Sequence, residues 1–282
     1  MKLLRLGKAG HEVPAALDDN GIYRDLRGHI DDITPDVMAL DRLEALKAID
    51  LSRLPEIPHG GRIACPVSDV PNFFCVGLNY ARHADETGMA RPTEPILFSK
   101  ASSALSAPND DVMIPQGSTK SDWEVELGVV IGREASHVTE ADALSYVAGY
   151  CAINDLSERE FQIERGGQWI KGKSAAGFGP VGPWIATADE IKDPQNLALW
   201  CELNGEMRQN SRTDDMIFSV AEIISYMSRF MTLRVGDIIA TGTPEGVGMG
   251  QSPQVFLRSG DVLRLGVEGL GEQTQRFRQA PA

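Results

Sequence analysis

The run Asp122-Trp123-Glu124-Val125-Glu126-Leu127-Gly128-Val129-Val130-Ile131 constrains this chain more than any other stretch. Side chains alternate along a strand, so Trp123, Val125 and Leu127 face one way and Glu124 and Glu126 the other. The apolar residues that follow mark a strand entering a core. Two carboxylates side by side near a core repel each other unless a cation or a shared proton lies between them. A metal site resolves that conflict. A solvated sheet face, on which the two glutamates need no partner, is the competing reading.

A second apolar run, Val147-Ala148-Gly149-Tyr150-Cys151-Ala152-Ile153, ends at Asn154-Asp155 before a polar segment with helical character. An aspartate there sits where strand ends line clefts, or else caps the following helix. Glu124, Glu126 and Asp155 together offer three anionic oxygens and neither sulfur nor imidazole. Such a set suits Mg²⁺, Mn²⁺ or Ca²⁺ rather than zinc. Three protein ligands leave positions open for water and a chelating substrate.

The rest of the composition removes several function classes. The 282 residues carry 27 basic and 40 acidic side chains, a net charge of −13. That surface repels a phosphate backbone, so nucleic acid is not expected as a partner. No stretch approaches the roughly 20 apolar residues that span a bilayer, and Met1–Leu6 is too short an apolar run for a signal peptide, so no membrane partner is expected either. Cys65, Cys75, Cys151 and Cys201 have no metal-ligand spacing and read as reduced thiols of a cytoplasmic protein.

Residues 1–68 read as a small N-terminal α+β unit and 69–282 as the main, strand-rich domain. Short strands at Leu3–Leu6, Ala15–Leu17 and Ile22–Leu26 precede a helical pattern over Pro35–Ile49, and Leu54–Gly61 reads as a linker. Later strands are expected at Phe73–Val76, Ile96–Phe98, Val112–Ile114, Trp123–Ile131, Val147–Ile153, Val181–Ile185, Leu197–Leu203, Asp237–Ala240 and Val262–Val267. Asn204-Gly205 marks a hairpin. Ser219–Met231 carries an amphipathic helix.

Three further segments offer chemistry. Gly77 and Gly88 flank a short helical run, as hinges flank a mobile segment. Within it His83 and Glu86 share a helical face and can hydrogen-bond, which suits deprotonating a water, although such pairs are common on surfaces. Gly166–Ser174 reads as a glycine-rich loop whose Lys173 could hold an anionic substrate or an enolate. Asp237–Gly248 runs from a strand into a glycine-rich turn, where threonine hydroxyls and free N–H groups could grip a carboxylate.

In chain order, Gly77-Leu78-Asn79-Tyr80-x-x-His83-x-x-Glu86, Asp122-Trp123-Glu124-x-Glu126-Leu127, Asn154-Asp155-x-Ser157-x-Arg159-x-x-Gln162, Gly172-Lys173-Ser174 and Thr241-Gly242-Thr243-Pro244 closely resemble the fumarylacetoacetate hydrolase family over about residues 70 to 270. The resemblance implies an α+β, β-dominated fold, a mixed β-sandwich roll with a small N-terminal domain, usually assembled as a homodimer. It implies Mg²⁺ or Mn²⁺ (Ca²⁺ as a substitute) on Glu124, Glu126 and Asp155, and a lid bearing His83 and Glu86. Substrate contacts carry over to Arg159, Gln162, Lys173 and Thr243, and further to Lys100 and Thr241. One departure is local. Many members read Lys-Ser-Phe-Asp-Thr-Phe where this chain has Lys173-Ser174-Ala175-Ala176-Gly177-Phe178.

The activity so implied is hydrolysis of the C3–C4 bond of a 2,4-diketo acid, with His83 and Glu86 activating water and Lys173 stabilising the pyruvate enolate. Glu164-Arg165-Gly166-Gly167-Gln168-Trp169 is similar to members acting on 2,4-diketo-3-deoxy-L-rhamnonate or L-fuconate, which would give pyruvate and lactate. Oxaloacetate decarboxylation and ureidoglycolate cleavage are the alternatives on the same scaffold. Outside catalysis, the alternative is a structural β-protein stabilised by Ca²⁺.

Overall fold

The computed structural model describes residues 1–280. Its backbone is dominated by a ten-stranded sheet in the order Glu56–Ile57, Tyr23–Asp25, Val13–Leu17, Lys2–Leu6, Ile185–Thr187, Val147–Asn154, Val125–Ile131, Ile238–Ala240, Phe73–Gly77, Ile96–Lys100. Within this sheet only the pairing of Ile238–Ala240 with Phe73–Gly77 is parallel; its other ladders are antiparallel. A second sheet of five strands runs Glu206–Arg212, Ala198–Leu203, Val262–Val267, Gly271–Gln279, Val112–Ile114. The two sheets share one core in which Trp123, Val125, Leu127 and Val129 meet Leu199, Cys201, Leu263, Leu265 and Phe277. The β-dominated α+β architecture is the one expected. Lys2–Leu6 pairs with Ile185–Thr187, so the first four strands continue the same ladder as the central ones.

Val125–Ile131 and Val147–Asn154 are buried at every residue, which is why both read as apolar runs, broken only by Glu126 and by Asn154 at the end of the second. Their register fixes the site. Val125 lies opposite Asn154 and Glu126 opposite Ile153, and the Asp155 amide donates to the Glu124 carbonyl at 2.9 Å. Opposed residues point to the same face, so Asp155 joins the face that carries Glu124 and Glu126.

Several elements differ from expectation. The strand expected over Trp123–Ile131 is interrupted: Ser121–Asp122 pairs with Ser157–Glu158, and the long ladder begins at Val125. The strand expected at Val181–Ile185 lies at Ile185–Thr187, beyond Pro183, which has no N–H for a ladder. Ile170–Lys173, expected as loop, is a helical turn, and Glu160–Glu164 forms a π-helical turn. The amphipathic helix is Val220–Met227, started by a capping box between Ser219 and Glu222.

Gly271–Gln279 escapes a hydrophobic reading because its inward side chains include two glutamines. Gln273 Nε2 donates to the Ala152 and Gly182 carbonyls, each at 2.9 Å. Gln275 Oε1 accepts from Asn154 Nδ2 at 3.0 Å, and Asn154 Oδ1 accepts the Glu124 N–H at 3.2 Å. A buried amide chain therefore runs from the second sheet to the acidic cluster. Gln275→Leu, which orphans buried Asn154 and the Pro108 carbonyl, should cost about 1–3 kcal/mol in chemical unfolding. Exposed Gln279→Leu on the same strand should stay within about 0.5 kcal/mol of the parent.

Candidate active site

Glu124, Glu126 and Asp155 are all buried and place one carboxylate oxygen each within 4.8 Å of one another. Three cations stand around them. Lys173 Nζ donates to Glu124 Oε2 at 2.6 Å and to Asp155 Oδ2 at 2.7 Å. Arg159 Nη1 lies 2.7 Å from Glu124 Oε1. Lys100 Nζ, also buried, donates to Asp155 Oδ1 and to the Leu156 carbonyl. Burial opposes ionisation of Glu124, but Lys173 and Arg159 outweigh it and hold its carboxyl below the ordinary range. Burial likewise disfavours charge on Lys173, yet Asp155 and Glu124 keep it an ammonium well into the alkaline range.

Glu126 is treated differently. Among the described residues it makes no ion pair; its Oε2 accepts the Gly242 N–H at 2.8 Å. Burial first, then the neighbouring Asp155 and Glu124, push its carboxyl well above the usual range. A divalent cation among the three carboxylates would supply the countercharge that Glu126 lacks. The donors are all hard oxygens, so the set fits Mg²⁺, Mn²⁺ or Ca²⁺.

These residues open into a cavity of about 120 Å³, whose wall includes His83, Glu124, Glu126, Arg159, Gln162, Lys173 and Thr243. His83 projects from the Ala81–Thr87 helix and is 4% exposed. The expected hydrogen-bonded His83–Glu86 pair is not formed. Glu86 Oε2 lies 3.5 Å from Nδ1, which has no hydrogen-bond partner among the described residues. The Glu86 carboxylate instead accepts the Gly246 N–H at 3.1 Å, fastening the helix to the turn after Thr243. Gly246 is required there: its φ is +96°, and a Cβ would fall 1.9 Å from the Arg208 carbonyl oxygen.

Arg159 is the most heavily constrained wall residue. Nε donates to Asp122 Oδ2 at 2.8 Å and Nη1 to Gln162 Oε1 at 3.1 Å, while buried Nη2 has no partner among the described residues. Thr243 Oγ1 donates to the Val125 carbonyl at 3.0 Å and accepts from Gln209 Nε2 at 2.9 Å. Two of the expected substrate contacts are not part of the wall. The Thr241 hydroxyl is spent on the Leu127 carbonyl at 2.8 Å, and Lys100 reaches the cluster through Asp155.

Asp122 has a role that spacing alone does not reveal. Besides Arg159 it accepts the N–H groups of Trp123, Gly248 and Met249. Asn79 is similar: its side chain binds Phe218 through both N–H and carbonyl and donates to the Thr241 carbonyl at 2.8 Å, pinning the segment that leads into the Ala81–Thr87 helix. Their shared signal is a short polar side chain at the end of a buried strand. The four cysteines are free, and burial raises the thiol of Cys65 to about 11 and lifts those of Cys75, Cys151 and Cys201.

Glu126→Gln mimics the protonated acid and removes the uncompensated charge. In chelator it should melt no lower than the parent; with Mn²⁺ the parent should gain melting temperature and the variant should not. Its ion affinity by calorimetry should fall by no less than the roughly tenfold that loss of an outer-shell partner costs.

Residues 72–278 match the family described as fumarylacetoacetate (FAA) hydrolase, C-terminal. A Burkholderia lata protein named "putative hydrolase" is 55% identical over 281 residues, covering 99% of this chain and 100% of its own. The fumarylacetoacetate hydrolase of psychrophilic Exiguobacterium antarcticum superposes with a TM-score of 0.90 at 34% identity, covering 99% of this chain and 100% of that one. Maleylpyruvate hydrolase from Sphingobium sp. SYK-6, crystallised with manganese(II) and pyruvate, gives 0.83 at 28% identity with both chains covered in full. No helix among the described residues is long and apolar enough to cross a membrane. A family match over residues 72–278, on a chain whose buried carboxylates and cavity-lining histidine stand together, leads to one conclusion: the chain belongs to the fumarylacetoacetate hydrolase family.

Proposed function

We propose that this enzyme hydrolyses the C3–C4 bond of a 2,4-diketo acid, releasing pyruvate and a second carboxylic acid. The observation that carries the reading is that His83, with Nδ1 uncommitted among the described residues, opens into the same cavity as Glu124, Glu126 and Lys173, with Asp155 bonded to Lys173 just behind the wall. Glu124, Glu126 and Asp155 would hold Mg²⁺ or Mn²⁺. When bound, that ion supplies Lewis-acid polarisation and an anchor for the oxygens of a 2-oxo acid.

The chain's own groups account for the remaining work. Arg159, with its free Nη2, and Gln162 hold the substrate carboxylate at the acidic end. His83 accepts a proton from water as the water attacks the C4 carbonyl. The C3–C4 bond then breaks, and its electron pair passes to C3 as the enolate of pyruvate. Lys173 stays charged beside Glu124 and Asp155, so it acts as a fixed cation that balances the enolate, not as a base. The proton that His83 took from water passes to C3, which completes pyruvate and restores the neutral imidazole. The Ala81–Thr87 helix, held at Gly246 by Glu86, covers the cavity and limits access of bulk water.

Among diketo acids, those derived from L-rhamnonate or L-fuconate are the proposed natural substrates, through the similarity of the 164–169 segment. Their cleavage yields pyruvate and lactate. The test is a panel with a divalent ion present: diketo-deoxy sugar acids, simple acylpyruvates, oxaloacetate and ureidoglycolate, followed by pyruvate release. A preference for oxaloacetate would replace hydrolysis by decarboxylation, which needs no attacking water. For the preferred diketo acid, His83→Ala should lower kcat by about 10²–10⁴ while leaving ion affinity unchanged. Undiminished turnover would remove His83 from the role of base.

A further inference from the structure

The charged and polar groups of the cavity wall form one connected set. Arg159 and Lys173 both bond to Glu124, Gln162 bonds to Arg159, and Thr243 bonds to the Val125 carbonyl between the two glutamates. His83 stands over this set. The remaining wall is of another kind: Val76, Leu78, Met89, Ile163, Trp169 and Met249. Its one hydroxyl, that of Thr87, is turned back to the His83 and Ala84 carbonyls at 2.9 and 3.2 Å.

Two of those apolar residues also reach solvent. Met89 is 43% and Ile163 is 44% exposed, so they form the mouth. Phe98 and Trp169, packed edge to face with centroids 5.3 Å apart, also border a neighbouring groove of mixed character, lined by Ile96 and Ile170 together with Ser99 and Gln168. Trp169 is seated closely. A Cβ on Gly77 would lie 2.3 Å from its ring, so only glycine lets the indole form this part of the wall.

Of the five cations flanking the mouth among the described residues, four are paired with acids and only Lys171 has no carboxylate partner. Arg82 pairs with Asp215 and Glu245, Arg91 with Asp85, Arg165 with Glu160 and Lys120 with Glu164, while Lys171 donates to the Arg165 carbonyl. The acids of these pairs, on a chain of net charge −13, oppose the approach of a second carboxylate.

We infer that the wall of Leu78, Met89, Ile163, Trp169 and Met249 selects the group beyond C4, admitting compact uncharged acyl tails and rejecting tails that end in a carboxylate. The inference rests on the diketo-acid reading above and narrows it. A terminal carboxylate placed there would lose hydration and meet no cation, the indole N–H of Trp169 being the one side-chain donor of that wall, whereas a methyl-ended tail buries apolar area against sulfur, indole and aliphatic carbon. The lactoyl tail of a deoxy sugar acid, one methyl and one hydroxyl, is uncharged and belongs to the admitted class.

A matched pair of compounds tests this on the full chain with Mn²⁺: 7-methyl-2,4-dioxooctanoate and 2,4-dioxoheptanedioate, equal in shape but ending in isopropyl and in carboxylate. The isopropyl compound should be favoured in kcat/KM by at least about tenfold, and calorimetry with each compound should rank them the same way. Ile163→Lys, at an exposed position, should shrink that ratio by at least about tenfold by giving the carboxylate a partner. Met89→Lys serves the same purpose if the first variant melts early. A carboxylate-ended compound that binds or reacts as well as its partner, or a ratio unmoved by both lysine variants, overturns the inference and leaves hydrolysis standing. Tighter binding of the isopropyl compound with no pyruvate released from either keeps the inference and removes the hydrolysis.

Discussion

The pairing of Val125 with Asn154 is the contact on which the rest of the site depends. Strand side chains alternate, so a slip of one residue would send Glu124 and Glu126 to the opposite face of the sheet. Asp155 would then face away from both. The register is held on both sides, by the antiparallel ladder to Ile238–Ala240 and by the buried amide chain from Gln275 through Asn154 to the Glu124 N–H. Polar satisfaction thus fixes position here, where apolar contacts alone would tolerate sliding.

Holding three carboxylates in a core sets an electrostatic problem that the surrounding residues solve unevenly. Glu124 has Arg159 and Lys173, and Asp155 has Lys100 and Lys173, whereas Glu126 has a single backbone amide. Burying a charge without a partner costs several kcal/mol, so the deficit is concentrated on one side chain and not spread over the cluster. The asymmetry is what suits this acidic cluster to holding a cation. A set already neutralised by lysine and arginine would bind a divalent ion weakly, and one without them would not fold around it.

Much of this was legible in the sequence, and the failures have physical reasons. The two central strands and the Asn204-Gly205 hairpin stand out because period-two alternation, apolar runs and turn chemistry are local signals. So do the three acidic residues, since charge inside an apolar run is conspicuous. Gly271–Gln279 was not legible, because glutamines that bond to distant carbonyls look like surface residues until those carbonyls are known. The His83–Glu86 pairing expected from helical spacing fails for the converse reason: Gly246, remote in sequence, competes for the carboxylate. The wall of Met89, Ile163 and Met249 comes from three separate segments with no common pattern, so only the fold assembles it.

Asp122 joins the two halves of the site. Its carboxylate takes Nε of Arg159 on one side and the N–H groups of Gly248 and Met249 on the other. The turn containing those amides is the one to which Glu86 fastens the histidine-bearing helix, through Gly246. Placement of the guanidinium that faces the acidic end and placement of the helix that covers the cavity therefore share a single support. A shift of the 246–250 turn cannot move the cover without also pulling on Asp122, and through it on Arg159. Because Met249 rides on the same turn, the apolar wall follows as well. The Ala81–Thr87 helix, Arg159 and Met249 are thus tied to one turn and one carboxylate, which explains why an aspartate preceding the two glutamates is buried without lining the cavity.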